Sequence, residues 1–186
     1  MSVNAGRIIG IGLILGMFGE AFSEPVSNLT IIAIEPVAGG MAIGVSWPKD
    51  FTDRLDVFAR ESLAPTGWSL QATGLATAGT NELWWADTPM SANTSMFYRV
   101  GNADLDSDGD GLPDARERLM YGTNEGRSDT DGDELADGWE VEYGLRPLNP
   151  ADAGDDPDND GYDNLLEFNL GLDPLAANTA DVSEEI

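Results

Sequence analysis

Carboxylates recur in the C-terminal half of the chain at a spacing suited to metal chemistry. The first run is Asp106-Ser-Asp108-Gly-Asp110-Gly111-Leu112-Pro-Asp114-Ala-Arg-Glu117. The second is Asp129-Thr-Asp131-Gly-Asp133-Glu134-Leu135-Ala-Asp137-Gly-Trp-Glu140, and the third Asp156-Pro-Asp158-Asn-Asp160-Gly161-Tyr162-Asp-Asn164-Leu-Leu-Glu167. In each, oxygen-bearing side chains stand at positions 1, 3, 5, 9 and 12, and the residue at position 7 offers its backbone carbonyl. One twelve-residue loop wraps Ca²⁺ with this spacing, closing on a bidentate glutamate at position 12. The candidate ligands are therefore Asp106, Asp108, Asp110, Leu112, Asp114 and Glu117 in the first loop. They are Asp129, Asp131, Asp133, Leu135, Asp137 and Glu140 in the second, and Asp156, Asp158, Asp160, Tyr162, Asn164 and Glu167 in the third. A hard cation that takes about six to eight oxygens suits this set, whereas magnesium demands a tighter octahedron, so about three Ca²⁺ ions are expected.

The elements that must position these ligands are short. Gly111 and Gly161 stand at position 6, where the loop turns sharply and positive φ is cheap for glycine. Glu134 occupies that position in the second loop, which is expected to be the most strained or weakest of the three unless Glu134 bends back as a ligand. Helices are predicted over 115–121, 138–143 and 165–170, each ending at a glycine placed as a C-cap (Gly122, Gly144, Gly171), with Pro147, Pro150 and Pro174 preventing continuation. The unit is an internal repeat, and an acidic linker would not set glycine, apolar residue and glutamate in register three times. Residues 104–175 resemble the thrombospondin type-3 repeats of bacterial surface proteins and, more distantly, the dockerin loop-helix. The resemblance implies a calcium-binding structural module. No disulfide ladder of the animal repeats carries over, since the chain has no cysteine.

Composition narrows the rest. The 186 residues carry 34 acidic and 9 basic side chains, a formal charge of −25. Such a charge repels phosphate backbones and anionic headgroups, so neither nucleic acid nor a membrane surface is an expected partner. With no Cys and no His there is no thiol nucleophile, no thiolate or imidazole zinc site and no Ser-His-Asp triad. Lys49 is the only lysine. Nothing in the sequence suggests an apolar pocket that would raise one carboxylate of a catalytic pair, so the chain does not read as an enzyme.

Residues 1–23 read as an export signal: Arg7, the apolar run Ile8 to Phe18, then Ala21-Phe22-Ser23. The run is shorter than the roughly 20 residues a membrane span needs, and polar residues follow it, which disfavours a type IV pilin. The chain is thus expected to be secreted, extracellular or at the cell surface, with no membrane segment once the signal is removed. Charge then divides it. Residues 1–103 hold 9 acidic and 5 basic side chains, residues 104–186 hold 25 and 4. The predicted organisation is a signal (1–23), a β-sandwich (24–102), three calcium-binding loop-helix repeats (103–176) and an acidic tail (177–186).

The neutral half shows period-2 patterning, clearest in Met41-Ala-Ile43-Gly-Val45-Ser-Trp47. Further strands are predicted over 29–34, 55–62, 68–72, 82–86 and 95–100, separated by turn residues. Residues 28–101 resemble fibronectin type III or immunoglobulin-like modules through Ser46-Trp47 and Phe97-Tyr98-Arg99-Val100. The fold class expected is mainly β: an N-terminal immunoglobulin-like β-sandwich followed by a small calcium-bound loop-helix module. Its tryptophans read as core, with Trp84-Trp85 the pair of which one is exposed, since adjacent strand residues face opposite ways. Little sequence remains for a seventh strand before the acidic repeats, which leaves an open sheet edge. The strand near 29–34 is left two uses: addition to a neighbouring subunit's sheet, building a fibre, or pairing within its own domain. Sequons stand at Asn28 and Asn93, weak evidence for attached glycan.

Taken together, these features read as a secreted calcium-binding structural protein that self-associates into a homopolymer, as a fibre (pilus-like filament) or surface layer. The alternative is a monomeric adhesin, with glycans as candidate ligands, or a dockerin-like adaptor.

Overall fold

A computed structural model describes residues 30–37, 40–47, 52–61, 66–77, 82–86 and 97–178. The predicted signal, residues 24–29, both sequons and the tail from 179 lie outside the described residues. The chain forms two units: residues up to 105 together with 113–122, and residues 106–112 together with those from 123 onward.

In the first unit the alternating segments become strands β1 (Thr30–Val37), β2 (Gly40–Ser46), β3 (Leu55–Arg60), β4 (Ser69–Leu75), β5 (Glu82–Ala86) and β6 (Phe97–Asn102). They make two antiparallel three-stranded sheets, ordered β1-β2-β5 and β4-β3-β6. Ile43 and Val45 of β2 and the following Trp47 meet Leu55 and Ala59 of β3 and Tyr98 of β6 in one buried cluster. Ile31, Leu75, Leu83, Trp85 and Val100 pack against it. Both sheets thus turn their period-2 apolar faces toward a shared core. Alternation along β5 divides the tryptophan pair as expected: Trp85 packs on the core, while Trp84 is 48 % exposed.

β1 pairs antiparallel with β2 from Thr30↔Ser46 to Val37↔Gly40. Of the two uses expected for this strand, pairing within its own domain is present in the structure, and its other edge has no neighbour among the described residues. At the other end of the fold, β6 pairs with β3 and has no second neighbour among the described residues.

β3 is buried on both faces, which its sequence does not announce. Leu55 and Ala59 point into the shared core, and Asp56 and Phe58 point the other way. Helix α1 covers that outer face. It begins as an α turn (Asp114–Arg116) and widens into a π turn (Glu117–Tyr121) closed at Gly122. Phe58, Trp68, Ala115 and Leu119 form the second buried cluster, with Leu70, Phe97 and Met120 against it. Asp56 is fully buried and accepts from Gly74 N (3.0 Å) and from Arg116 Nε (2.8 Å), while Arg116 Nη2 donates to Thr73 Oγ1 (2.6 Å). A Cβ on Gly101 would lie 2.4 Å from that of Ala115, so only glycine admits the helix here. The helix after the first acidic loop therefore packs with the sheets, and the chain does not divide at one point between residues 102 and 103.

The second unit holds helices α2 (Asp137–Tyr143) and α3 (Asn164–Leu170), with a 3₁₀ turn (Asp152–Gly154) between them. Trp139 contacts Tyr143 (centroids 4.9 Å) and Phe168 (5.2 Å, edge to face). Leu112, Leu135 and Ala153 are buried, but so are the carboxylates of Asp137, Glu140, Asp152 and Glu167. Leu148, Leu166, Leu170 and Leu175 are exposed. A core that buries acids about as often as apolar groups does not hold itself together by the hydrophobic effect.

Candidate calcium sites

The three acidic loops share one backbone design. The carboxylate at position 1 accepts the N–H groups of positions 4 and 6. Asp106 takes Gly109 (2.8 Å) and Gly111 (3.0 Å), Asp129 takes Gly132 (2.6 Å) and Glu134 (3.1 Å), and Asp156 takes Asn159 (2.8 Å) and Gly161 (3.0 Å). The carboxylate at position 5 accepts the N–H of position 7: Asp110 from Leu112 (2.7 Å), Asp133 from Leu135 (2.9 Å) and Asp160 from Tyr162 (2.8 Å). To aim those N–H groups inward, the backbone takes positive φ at positions 4 and 6 of every loop. Glycine fills both in the first loop and asparagine, which tolerates this region, fills position 4 of the third. Glu134 is the outlier, at φ 78°. The strain expected at this residue is thus present in the backbone, and its side chain is exposed. Glu134→Gly should relieve it and stabilise the second unit by about 1 kcal/mol; thermal unfolding in saturating calcium checks this.

This design gathers oxygens. Ligand atoms of Asp106, Asp108 and Asp110 lie within 4.8 Å of one another, as do those of Asp129, Asp131 and Asp133 and those of Asp156, Asp158 and Asp160. Two oxygens bound to one Ca²⁺ at about 2.3–2.6 Å stand no more than about 5 Å apart, so each triad fits that ion. Many of these oxygens are also buried without a hydrogen-bond partner: Asp108 Oδ2, both oxygens of Asp131, Asp133 Oδ2, both oxygens of Glu140, Asp158 Oδ2 and Glu167 Oε2. Acceptor-only groups left bare in an interior are costly unless a cation completes them.

Electrostatics agree. Burial, then the nearby Asp133, Asp131, Asp152 and Asp137, push the Glu140 carboxyl up to about 8. Burial also raises Asp108, Asp131, Asp133, Asp158 and Glu167, each with neighbouring aspartates adding to the effect. Asp160 is held low, because the backbone N–H groups of Tyr162 and Asn178 donate to it.

The predicted ligands at positions 9 and 12 also make contacts within the chain. At position 9, Asp137 accepts Thr130 N (2.9 Å) and Thr130 Oγ1 (2.6 Å), one on each oxygen, so it ties the loop together. Asp129 likewise accepts one N–H on each oxygen, so these bonds leave each carboxylate a lone pair per oxygen for a metal. Asn164 donates through Nδ2 to the Asp152 carbonyl (2.7 Å), leaving its buried Oδ1 without a partner. Asp114 and Glu117 are buried in the first unit. The residues at position 7, Leu112, Leu135 and Tyr162, are candidates through their carbonyls alone; the side chains of Leu112 and Leu135 are buried and that of Tyr162 is exposed.

Two features escaped the sequence. The position-5 carboxylates of the first and third loops are clamped from later in the chain, Asp110 by Gly138 N (2.9 Å) and Asp160 by Asn178 N (2.6 Å). A Cβ on Gly138 would lie 2.4 Å from the Asp110 carbonyl oxygen, so glycine is required there. Asn178 also donates through Nδ2 to Glu167 Oε1 (2.8 Å). The second feature is Asp152, outside all three twelve-residue templates, whose carboxylate lies within 4.8 Å of those of Asp133 and Glu140. Its one signal in the sequence is the longer interval between the second and third loops, 27 residues against 23 between the first and second.

No helix among the described residues is long and apolar enough to cross a membrane. No curated protein and no solved structure matches the chain. The family model of the bacterial TSP3 repeat matches residues 106–124 and 129–150. The segment holding the first two loops is thus similar to bacterial thrombospondin type-3 repeats, a structural calcium-binding module of extracellular proteins.

Proposed function

We propose that this chain is a secreted structural protein whose C-terminal unit is folded by about three Ca²⁺ ions, one for each loop. The observation that carries the reading is the second loop's set of buried carboxylate oxygens that no hydrogen bond satisfies, on Asp131, Asp133 and Glu140. Sites of this class in extracellular modules fill at roughly 10⁻⁴ to 10⁻³ M Ca²⁺, so they load outside a cell and stay empty inside one. The chain is exported unfolded in this half and stiffens on arrival. The first unit serves as an immunoglobulin-like module to which the calcium repeats are joined.

The finer reading is a subunit of an extracellular fibre or surface layer. It is supported by β6, an edge strand of the second sheet from which the chain runs straight into the first acidic loop. A monomeric adhesin is favoured instead by Trp84. This ring sits over Gly44 beside Ile32, both about 3.1 Å from a Cβ built there, and makes an exposed flat aromatic surface. Negative-stain electron microscopy of residues 24–186 in millimolar calcium separates the two. Filaments that fray on chelation are expected of the fibre subunit, whereas dispersed particles with and without calcium would leave the binding module.

A further inference from the structure

Asp152 is the carboxylate that sets the second loop apart. Its side chain is 2 % exposed, and its Oδ2 accepts Arg146 N (3.0 Å), with Arg146 Nε 3.6 Å away. Its Oδ1 is buried and has no hydrogen-bond partner. Beside it stand Glu140, fully buried with both oxygens unpartnered, and Asp133, whose carboxylate lies within 4.8 Å of both. In the first and third loops the corresponding position-5 oxygen is clamped by a backbone N–H, from Gly138 or Asn178. In the second loop the Ala153 N–H faces Asp133, and the Asp152 carboxylate has been brought up beside Asp133 and Glu140 as well. Two carboxylates this close at this depth, each with an unsatisfied oxygen, are completed by a cation between them or, without one, by a proton.

We propose that Asp152 is a direct calcium ligand of the second loop, supplied by the turn between α2 and α3, and that it makes this the tightest of the three sites. The inference rests on the calcium reading above and deepens it. With Asp152, the loop offers one oxygen each from Asp129, Asp131, Asp133 and the Leu135 carbonyl, and two from Glu140, about seven in all and within the range Ca²⁺ takes. Affinity in such sites rises with ligand charge, so the added carboxylate outweighs the strain at Glu134. It also makes the site depend on residues beyond the loop: the ion pins the 152–154 turn to the C-terminal end of the second repeat.

Calcium titration calorimetry on the full chain tests this, with D152N, R146Q and the wild type compared. The amide introduced by D152N retains an oxygen to accept the Arg146 N–H, so this variant removes charge and leaves the turn's own bond. The wild type is expected to fill one site ahead of the others, and D152N to weaken that site by about 10- to 100-fold while leaving the remaining binding unchanged. R146Q, which removes only the contact at 3.6 Å, is expected to bind as the wild type does. An isotherm of D152N superimposable on the wild type would overturn the proposal, as would equal weakening by R146Q. Should D152N lower the helical signal in saturating calcium, D152E provides the comparison with charge retained and is expected to weaken the same site. A wild type that binds no calcium would instead remove the reading on which the proposal stands.

Discussion

Chelating calcium at neutral pH should unfold helices α2 and α3 and leave the two sheets standing. In the second unit the carboxylates of Glu140, Asp152 and Glu167 are buried, and Leu112, Leu135 and Ala153 do not offset the cost of ordering its loops. Each ion bound at a hundredfold excess over its dissociation constant contributes about 2.7 kcal/mol, so loss of several exceeds the stability a unit of this size could hold by packing. The expected result is loss of far-UV helical signal and fast amide exchange throughout residues 123–178 in EGTA, with protection retained in β2 and β3. The metal-free unit has a pH dependence of known sign. Glu140 is raised from the ordinary carboxylate value of 4.5 to about 8, so the folded form holds a proton that the unfolded form has released between those values. Stability therefore falls as pH rises from about 4.5 to 8 and is greatest on the acid side. Acidification in EGTA should restore part of the helical signal, and calcium should flatten the profile. Calcium uptake below pH 8 should release protons to the buffer.

Replacing Arg116 by Met should destabilise the first unit by about 3 kcal/mol. Asp56 is fully buried, and its partners are Gly74 N and Arg116 Nε. Removing the guanidinium leaves a charge in the interior with one backbone donor, and breaking one side of such a pair costs about 3–5 kcal/mol. Met keeps most of the stem that packs along the sheet, so the loss reports the charge pair and not a cavity. Adding Asp56→Asn should recover much of it, since the amide oxygen still accepts from Gly74 and no charge remains. Urea unfolding followed by amide exchange in β3 measures both variants. A loss under 1 kcal/mol for Arg116→Met would mean that α1 is not held on the sheet as the geometry indicates.

How far the sequence foretells this can be followed residue by residue. Patterning places strand β5 at its observed ends, and β2 to within a residue, because Ile43, Val45, Leu83 and Trp85 alternate with small or polar residues on one-sided sheets. The loops are legible because their own backbone demands glycine, aspartate and glutamate at fixed offsets. β3 is harder. Asp56 and Phe58 look like an outward face, and only the three-dimensional return of Ala115, Arg116 and Leu119 shows that this face is covered. Charge composition puts α1 with the acidic repeats, yet its packing residues are apolar and belong with the sheet. Within the sites, the hydroxyl at position 2 that donates to the position-9 aspartate, Thr130, carries no signal in the template. Asp152 escapes for the same reason. A carboxylate that comes from the following turn obeys no local spacing.

The number of calcium ions held per chain tests the central claim most directly, measured by equilibrium dialysis and elemental analysis of the full chain in millimolar Ca²⁺ with excess Mg²⁺ present. About three tightly held calcium ions, undisplaced by magnesium, are predicted by oxygen sets of this size. Calcium below one ion per chain, with the helices of the second unit intact, would contradict it.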